Sequence, residues 1–210
     1  MVAKRGPRLK AIRRLGTPLP GLTRKTADKK PYPPGQHGPT GGGGGRGRRK
    51  QSEYGRQLLE KQKLRLNYGV SERQLRNYMA MAERQGGKTG ENLLALLERR
   101  LDNVVFRLGL APTIPAARQL VAHGHVRVDG RRVDRAAFMV NVGQHVTMSD
   151  RGRNMPEVKN SVEHGPQVKL PGYLAIDPGD KFGGRMISLP MRGDVPVIVD
   201  DAAVVEFYAR

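Results

Sequence analysis

The hydrophobic residues of this chain change their spacing near residue 124, and this change limits the folds that are open to it. Before that point, apolar side chains recur every three or four residues, as on one face of a helix, most clearly from Leu93 to Leu108. After it, Val126 and Val128 alternate with polar residues, and Asp129-Gly130 suits the type I′ turn of a β-hairpin. The sequence therefore predicts an α+β protein.

Four helices are predicted between residues 52 and 124, because capping residues precede stretches of helical periodicity. Ser52 can cap the first, which extends to about Asn67, and Ser71 to Gln74 form a capping box for the second. The third extends from about Gly90 to Leu108, and Thr113 can cap a fourth that ends at His123-Gly124.

The remaining residues predict shorter elements. Residues 150–170 suggest one short helix, and short strands are expected at 173–176 and 186–189, separated by Asp177-Pro178-Gly179 and Gly183-Gly184. Asp200 can cap a last helix over 202–208.

These elements predict three parts. Residues 1–51 are expected to be an irregular basic arm, because Pro7, Gly16, Pro18, Pro20 and Gly21 break any helix there. Residues 52–98 are expected to form a helical domain on which the helix at 200–210 packs. Residues 99–199 are expected to form a small α+β domain, with two helices on an antiparallel sheet.

The charge of the chain lies mostly in the arm. The 210 residues carry a formal net charge of +19, and residues 1–50 hold 14 basic side chains and one acidic, Asp28. Residues 151–210 hold eight of each sign. A basic arm on a nearly neutral body favours a polyanionic partner such as nucleic acid, and the helix breakers in the arm disfavour binding to a membrane surface. No apolar run is long enough to cross a bilayer.

Several kinds of chemistry are excluded or unsupported by the residues present. The chain has no cysteine, which excludes disulfides and Cys-based metal sites. Its five histidines are not joined by a carboxylate cluster, so no metal site is predicted. No nucleophile with a paired base is evident, and neither catalysis nor a cofactor is predicted.

Arginines are concentrated between residues 99 and 133. Arg99, Arg100 and Arg107 are expected to be exposed at the end of the third helix, Arg118 lies on the fourth, and the hairpin adds Arg127, Arg131 and Arg132. The planar guanidinium group can donate two hydrogen bonds to one phosphate. Two helices packed on this hairpin therefore predict a compact phosphate-binding corner that contacts RNA.

This stretch also resembles a known family. Residues 100–109 and 116–133 resemble the RNA-binding domain of ribosomal protein four of the small subunit, which some pseudouridine synthases, tyrosyl-tRNA synthetases and a heat-shock protein share. Five further segments, in order, resemble the ribosomal family itself: Pro33–Gly38, Glu60–Arg65, Tyr68–Gln74, Thr89–Leu94 and Val204–Tyr208. The resemblance covers nearly the whole chain and is weakest at 1–30 and 150–195.

The resemblance implies a cytoplasmic, non-catalytic component of the small ribosomal subunit. Such a protein binds the 5′ domain of 16S-type rRNA early in assembly, lies beside small-subunit proteins three and five near the channel through which mRNA enters, and influences decoding accuracy. Two alternatives remain open: an RNA-modifying enzyme or a translational repressor that carries the same domain.

The resemblance and the charge pattern together give a set of candidate RNA-binding residues. It consists of Lys4, Arg5, Arg8, Lys10, Arg13, Arg14, Arg46, Arg48, Arg49, Lys50, Arg56, Lys61, Lys63, Arg65, Arg73, Arg100, Arg107, Arg118, Gln119, His123, Arg127, Arg131 and Arg132. Two departures from the family stand out. Many relatives bind zinc or an iron–sulfur cluster through N-terminal cysteines that this chain lacks, and the run Gly41 to Gly45 replaces a short basic linker before Arg46, Arg48, Arg49 and Lys50, which by position would line the mRNA channel.

Overall fold

A computed structural model of the chain describes residues 7–35 and 52–209. The helices in these ranges are α1 (Arg8–Leu15), α2 (Glu53–Asn67), α3 (Glu72–Glu83), α4 (Thr89–Glu98), α5 (Leu101–Arg107), α6 (Ile114–Ala122), α7 (Asp150–Arg153), α8 (Pro156–His164) and α9 (Asp201–Tyr208). The strands are β1 (Val126–Val128), β2 (Arg131–Arg132), β3 (His145–Met148), β4 (Leu174–Asp177) and β5 (Asp180–Met186). The predicted α+β class is confirmed.

The strands form one antiparallel sheet in the order β2-β1-β3-β5-β4. The β1–β2 hairpin has the predicted type I′ turn, since Asp129 and Gly130 both have positive φ angles, 48° and 78°. The predicted capping residues are confirmed as well. The side chains of Ser52, Ser71, Thr113 and Asp200 each accept a hydrogen bond from a backbone N–H in the first turn that follows.

The expectation of one helix from Gly90 to Leu108 is wrong. The chain is interrupted at Arg99-Arg100, where Arg100 takes extended dihedral angles and forms a β-bridge with Met139. The N–H of Leu101 donates to the carbonyl of Phe138 at 2.8 Å, so this backbone bonds across to the 138–140 segment instead of along a helix. Helical periodicity persists through the break because α4 and α5 bury their apolar residues in the same core.

The arm is also more ordered than the helix breakers suggested. Helix α1 lies between Pro7 and Gly16, so these two residues mark its ends and do not prevent it. Proline before the first turn removes an N–H that has no partner there, and Gly16 closes the helix in the left-handed conformation at φ 64°. Residues Ile12, Leu19 and Leu22 form a small apolar cluster of their own.

Two further expectations need correction. Residues 150–170 contain two helices, α7 and α8, where one was expected. The last strand, β5, ends at Met186, and Gly183-Gly184 lie inside it, so they do not separate two strands. A side chain at 184 would come within 2.5 Å of the Leu108 side chain and 2.6 Å of the Ala175 carbonyl, so glycine lets the sheet approach α5 closely.

The helices and the sheet share one continuous apolar core. It extends from Leu64 on α2 through α3–α6 to the inner face of the sheet, and Val204 on α9 joins it. Helix α9 packs on α2 and α4. Among the described residues, no helix is long and apolar enough to cross a membrane.

Candidate nucleic-acid interface

Exposed cations gather around the end of α6 and the β1–β2 hairpin. Helix α6 starts at the Thr113 cap and ends at His123, and Gly124 turns the chain toward β1 with a φ of 74°. Along β1, Val126 and Val128 are buried in the core. We call the exposed candidates here the α6–β2 surface: Gln119, His123, Arg127, Arg131 and Arg132.

Two arginines on this surface are brought together by the strand register. Arg127 and Arg132 are direct partners across the β1–β2 ladder, which places their side chains on the same face. Like charges in this arrangement repel each other, and an anion lying over both relieves the repulsion. Arg127 has a distant ionic partner in Asp150 at 3.9 Å, and among the described residues Arg131 and Arg132 have none.

Two residues outside the candidate set, His125 and Arg151, lie beside this surface. The imidazole rings of His123 and His125 lie 6.2 Å apart. Partial burial lowers the pKa of His125, and the charge of Arg151, which is exposed on α7, lowers it further. The stretch His123-Gly124-His125 was visible in the sequence, but the position of Arg151 depends on the packing of α7 and had no local signal.

Arg118 is held by acceptors of the protein itself. Its guanidinium donates to the carboxylate of Asp102 from Nε at 3.1 Å and from Nη2 at 2.5 Å. It also donates to the backbone carbonyls of Gly69 at 2.8 Å and Tyr68 at 3.2 Å. The side chain remains 30% exposed. It therefore joins α6 to α5 and to the end of α2, and its contact with RNA stays a prediction.

The expectation that Arg100 and Arg107 are exposed is wrong. They are 1% and 2% exposed, and each forms a two-bond ion pair in the core. Arg100 donates from Nε and Nη2 to Asp102 at 3.0 and 2.8 Å. Arg107 donates to Glu98 at 3.1 and 2.7 Å. A buried guanidinium needs a carboxylate partner, and these two arginines satisfy acids inside the protein, out of reach of a phosphate.

Glu98 connects the two halves of the molecule. Besides Arg107, its carboxylate accepts hydrogen bonds from the hydroxyls of Tyr68 and Tyr173, both at 2.5 Å, and from the Asn103 amide. Burial and the charge of Glu98 raise the pKa of both tyrosines well above the usual value, so they remain protonated donors. The carboxylate therefore links the end of α2, α5 and the residue preceding β4.

Most of the candidate cations on α2 pair with neighbouring acids. Lys61 is buried and pairs with Glu72 at 3.0 Å, and Lys63 pairs with Glu60 at 2.6 Å. Arg56 is exposed but contacts both Glu53 and Asp200 at 2.7 Å. Arg65 donates to the side chain of Gln62. On α3, Arg73 is exposed.

Helix α1 presents a second set of cations. Arg8, Lys10 and Arg14 are exposed, whereas Arg13 is half-buried and donates to the carbonyl of Tyr32 at 2.9 Å. The arm is attached to the body through Gly21, whose N–H donates to Asn67 and whose carbonyl accepts from Ile114. The candidates Lys4, Arg5, Arg46, Arg48, Arg49 and Lys50, and the Gly41–Gly45 run, lie outside the described residues.

Comparison with known proteins gives a consistent result along the whole chain. The model of the ribosomal protein S4/S9 N-terminal domain matches residues 3–98, and that of the S4 domain matches residues 99–146. Small ribosomal subunit protein uS4 of Nostoc sp. is 50% identical over 206 residues, covering 98% of this chain and 97% of the relative. The uS4B protein of Nitrosomonas europaea is 50% identical over 205 residues, with the same coverage, and uS4 of Geobacillus stearothermophilus is 49% identical over 205 residues, 98% of each.

Proposed function

The chain belongs to the family of small ribosomal subunit protein uS4, and from this premise we propose that it binds rRNA and helps to organise the small subunit. It is a structural component and not an enzyme, since its full-length relatives are named for the ribosomal subunit. It acts in the cytoplasm as part of that subunit. These relatives also remove the reason to consider an RNA-modifying enzyme, in which the same domain is joined to a catalytic one.

The observation that carries the RNA-binding proposal is the α6–β2 surface. It places Arg127 and Arg132 side by side on an exposed strand pair, with Arg131 at the turn and His123 at the adjoining helix end. The repulsion among these charges is relieved by phosphate oxygens, which are spaced along an RNA backbone. Arginine suits this role because its fork binds phosphate with two hydrogen bonds.

A more specific RNA target is part of the proposal. The chain binds the 5′ domain of 16S-type rRNA through the α6–β2 surface together with the exposed cations of α1. Arg8, Lys10 and Arg14 provide the second contact region, on an arm that Gly21 fixes to α2 and α6. Two basic regions attached to one folded body suit an RNA junction, in which helices approach from different directions.

The neighbours of this chain in the subunit are proposed from charge and exposure. The segment after β5 carries exposed apolar side chains, among them Ile187, Leu189, Met191 and Ile198, in a region of balanced charge. Such a surface suits a protein better than a phosphate backbone. We assign it to small-subunit protein five, with protein three nearby. Arg46, Arg48, Arg49 and Lys50 would face mRNA where it enters the subunit, and the contact with protein five would influence decoding accuracy.

The salt dependence of rRNA binding tests the proposed function. With ~6–10 phosphate contacts, the affinity of the full chain for a 5′-domain rRNA fragment should fall about 10³–10⁵-fold between 50 and 200 mM salt in a filter-binding assay. Binding that does not depend on salt would contradict the proposal. Sedimentation of cell lysate is a second test. Co-migration of the protein with small subunits supports a structural role, and its exclusion from them supports a free translational repressor.

A charge-matched pair of variants locates the surface. The triple variant Arg127→Ala/Arg131→Ala/Arg132→Ala should lose affinity and reduce the salt slope by about 2–3. The control Lys159→Ala/Lys169→Ala/Lys181→Ala removes the same charge from exposed positions outside the candidate set. It should bind almost as the unmodified protein does. Equal losses in the two variants would show that net charge, and not this surface, drives binding.

A further inference from the structure

Four positively charged or titratable side chains converge beside Gly124, and we call them the α6–α7 corner: His123, His125, Arg132 and Arg151. A Cβ atom at position 124 would lie within 2.5 Å of the Arg132 Cζ, so the guanidinium rests directly on the Gly124 backbone. The rings of His123 and His125 are 6.2 Å apart on either side of the same glycine. Three elements, α6, β2 and α7, therefore meet at this corner.

A second glycine brings α7 close to His125. A Cβ atom at Gly152 would lie 3.1 Å from the His125 carbonyl oxygen and 3.2 Å from its Cβ. The N–H of Ser149, the cap of α7, donates to the same carbonyl at 2.8 Å. Arg151 directly precedes Gly152 on α7, so this close approach brings its backbone to the corner. The acid on the other side of Arg151, Asp150, is turned toward Arg127 at 3.9 Å.

Within residues 7–35 and 52–209, the charged groups that act on His125 are all basic: Arg151, His123 and Arg132. Partial burial lowers the pKa of its imidazole, and the positive charges of Arg151, His123 and Arg132 lower it further. Burial and this repulsion together favour the neutral imidazole, and a bound anion would cancel the repulsion. A neutral imidazole surrounded by cations gains a proton more readily once a negative charge is placed among them.

We propose that the α6–α7 corner binds one RNA phosphodiester and takes up a proton as it does so. The proposal rests on the RNA-binding function above and adds His125 and Arg151 to the contact surface. Arg132 and Arg151 donate hydrogen bonds to the phosphate oxygens. His125, protonated by the approach of that charge, donates from its ring nitrogen, and His123 lies beside it.

The sign of the pH effect follows from linkage. Because the bound anion raises the pKa of the histidine, the complex holds more protons than the free components, and affinity increases as the pH falls. A rise of one pKa unit on binding corresponds to at most about a tenfold gain in affinity. We therefore expect binding to strengthen about five- to tenfold from pH 8 to pH 5.5 at constant ionic strength.

Filter binding of the full chain to the 5′-domain rRNA fragment, at pH 5.5 to 8 and fixed salt, tests this. Whatever its affinity at pH 8, the variant His123→Gln/His125→Gln should lose the gain, so that its affinities at pH 5.5 and pH 8 are about equal. His164→Gln, on the exposed end of α8, is the matched control and should keep the gain. Affinity that does not change with pH in the unmodified protein, or a gain that survives the double substitution, would overturn the proposal.

Two measurements on the unmodified protein keep the proposal testable even if the double variant does not fold. Calorimetry of the unmodified protein in two buffers of different ionisation enthalpy should show net proton uptake on RNA binding at pH 6.5, which requires no variant to fold. Zero uptake contradicts the corner site. Failure of the unmodified protein to bind RNA at low salt and any pH would instead contradict the proposed function itself, so the two failures are distinguishable.

Discussion

The guanidinium of Arg118 on α6 bonds to the carboxylate of Asp102 on α5, with Nη2 and Oδ2 2.5 Å apart. The same carboxylate is also held by Arg100, which donates to both of its oxygens and to the hydroxyl of Tyr78 at 2.7 Å. Arg118 in turn reaches the carbonyl of Gly69. Charged hydrogen bonds, as well as apolar packing, therefore join α5 and α6 to the end of α2 and to α3.

Replacing Arg118 by methionine should act on stability first and on RNA only indirectly. Loss of charge-assisted bonds to Asp102 and two carbonyls should lower the free energy of unfolding by about 1–3 kcal/mol, measured by urea denaturation. The salt slope of RNA binding should stay unchanged, because hydrogen bonds within the protein already use four of the five N–H donors of Arg118. Arg131→Ala is the comparison and should lower that slope by about 0.7–0.9 without loss of stability. The opposite pattern would identify Arg118 as a direct phosphate contact.

Glu98→Gln should be among the most damaging single substitutions in the chain. It leaves the buried charge of Arg107 without a carboxylate, which costs about 3–5 kcal/mol of unfolding free energy. The double variant Glu98→Gln/Arg107→Met removes both charges and should recover part of the loss, so the two single effects should not add. Strict additivity in chemical denaturation would contradict this account of the Glu98 contacts.

Acid stability should depend on the same carboxylate. Burial alone would raise the pKa of Glu98, but the charge of Arg107 and hydrogen bonds from Arg107, Tyr173 and Tyr68 lower it below its usual value near 4.5. The stabilisation is therefore complete above the unfolded pKa and is lost as the pH falls through the lower, folded one. Unfolding free energy measured between pH 2 and pH 6 should fall less steeply toward acid in Glu98→Gln than in the unmodified protein.

The difference between Arg107 and Arg131 shows what the sequence can and cannot predict here. Local signals were sufficient for the caps at Ser71 and Thr113 and for the Asp129-Gly130 turn, because each depends on a few adjacent residues. Whether an arginine faces solvent depends instead on which acid the fold places beside it. Glu98 and Arg107 are nine residues apart across a helix break that periodicity did not reveal, and so Arg107 was expected on the surface.

The cysteine-free arm should depend on its own small apolar cluster. Leu19 is 2% exposed and packs with Ile12 and Leu22. Leu19→Ala should weaken the docking of the arm by about 2–3 kcal/mol, seen as faster hydrogen exchange over residues 12–22 with little change in α3 and α4. Leu9→Ala, on the exposed side of α1, should have little effect. Equal acceleration in the two variants would show that the cluster does not hold the arm.

Gly124→Ala should introduce backbone strain and also disturb the α6–α7 corner. Gly143→Ala should introduce backbone strain alone, so the two variants separate the effects. Both glycines have positive φ angles, 74° and 87°, so alanine at either should cost about 1–2 kcal/mol of unfolding free energy. Only at position 124 would the new methyl group collide with the Arg132 guanidinium; at 143 nothing lies within 4 Å. We therefore expect similar losses of stability, but a loss of RNA binding of about 1–3 kcal/mol in Gly124→Ala alone, because Arg132 must leave the corner. Unchanged affinity in Gly124→Ala, measured by filter binding beside Gly143→Ala, would mean that Arg132 binds RNA from another position or not at all.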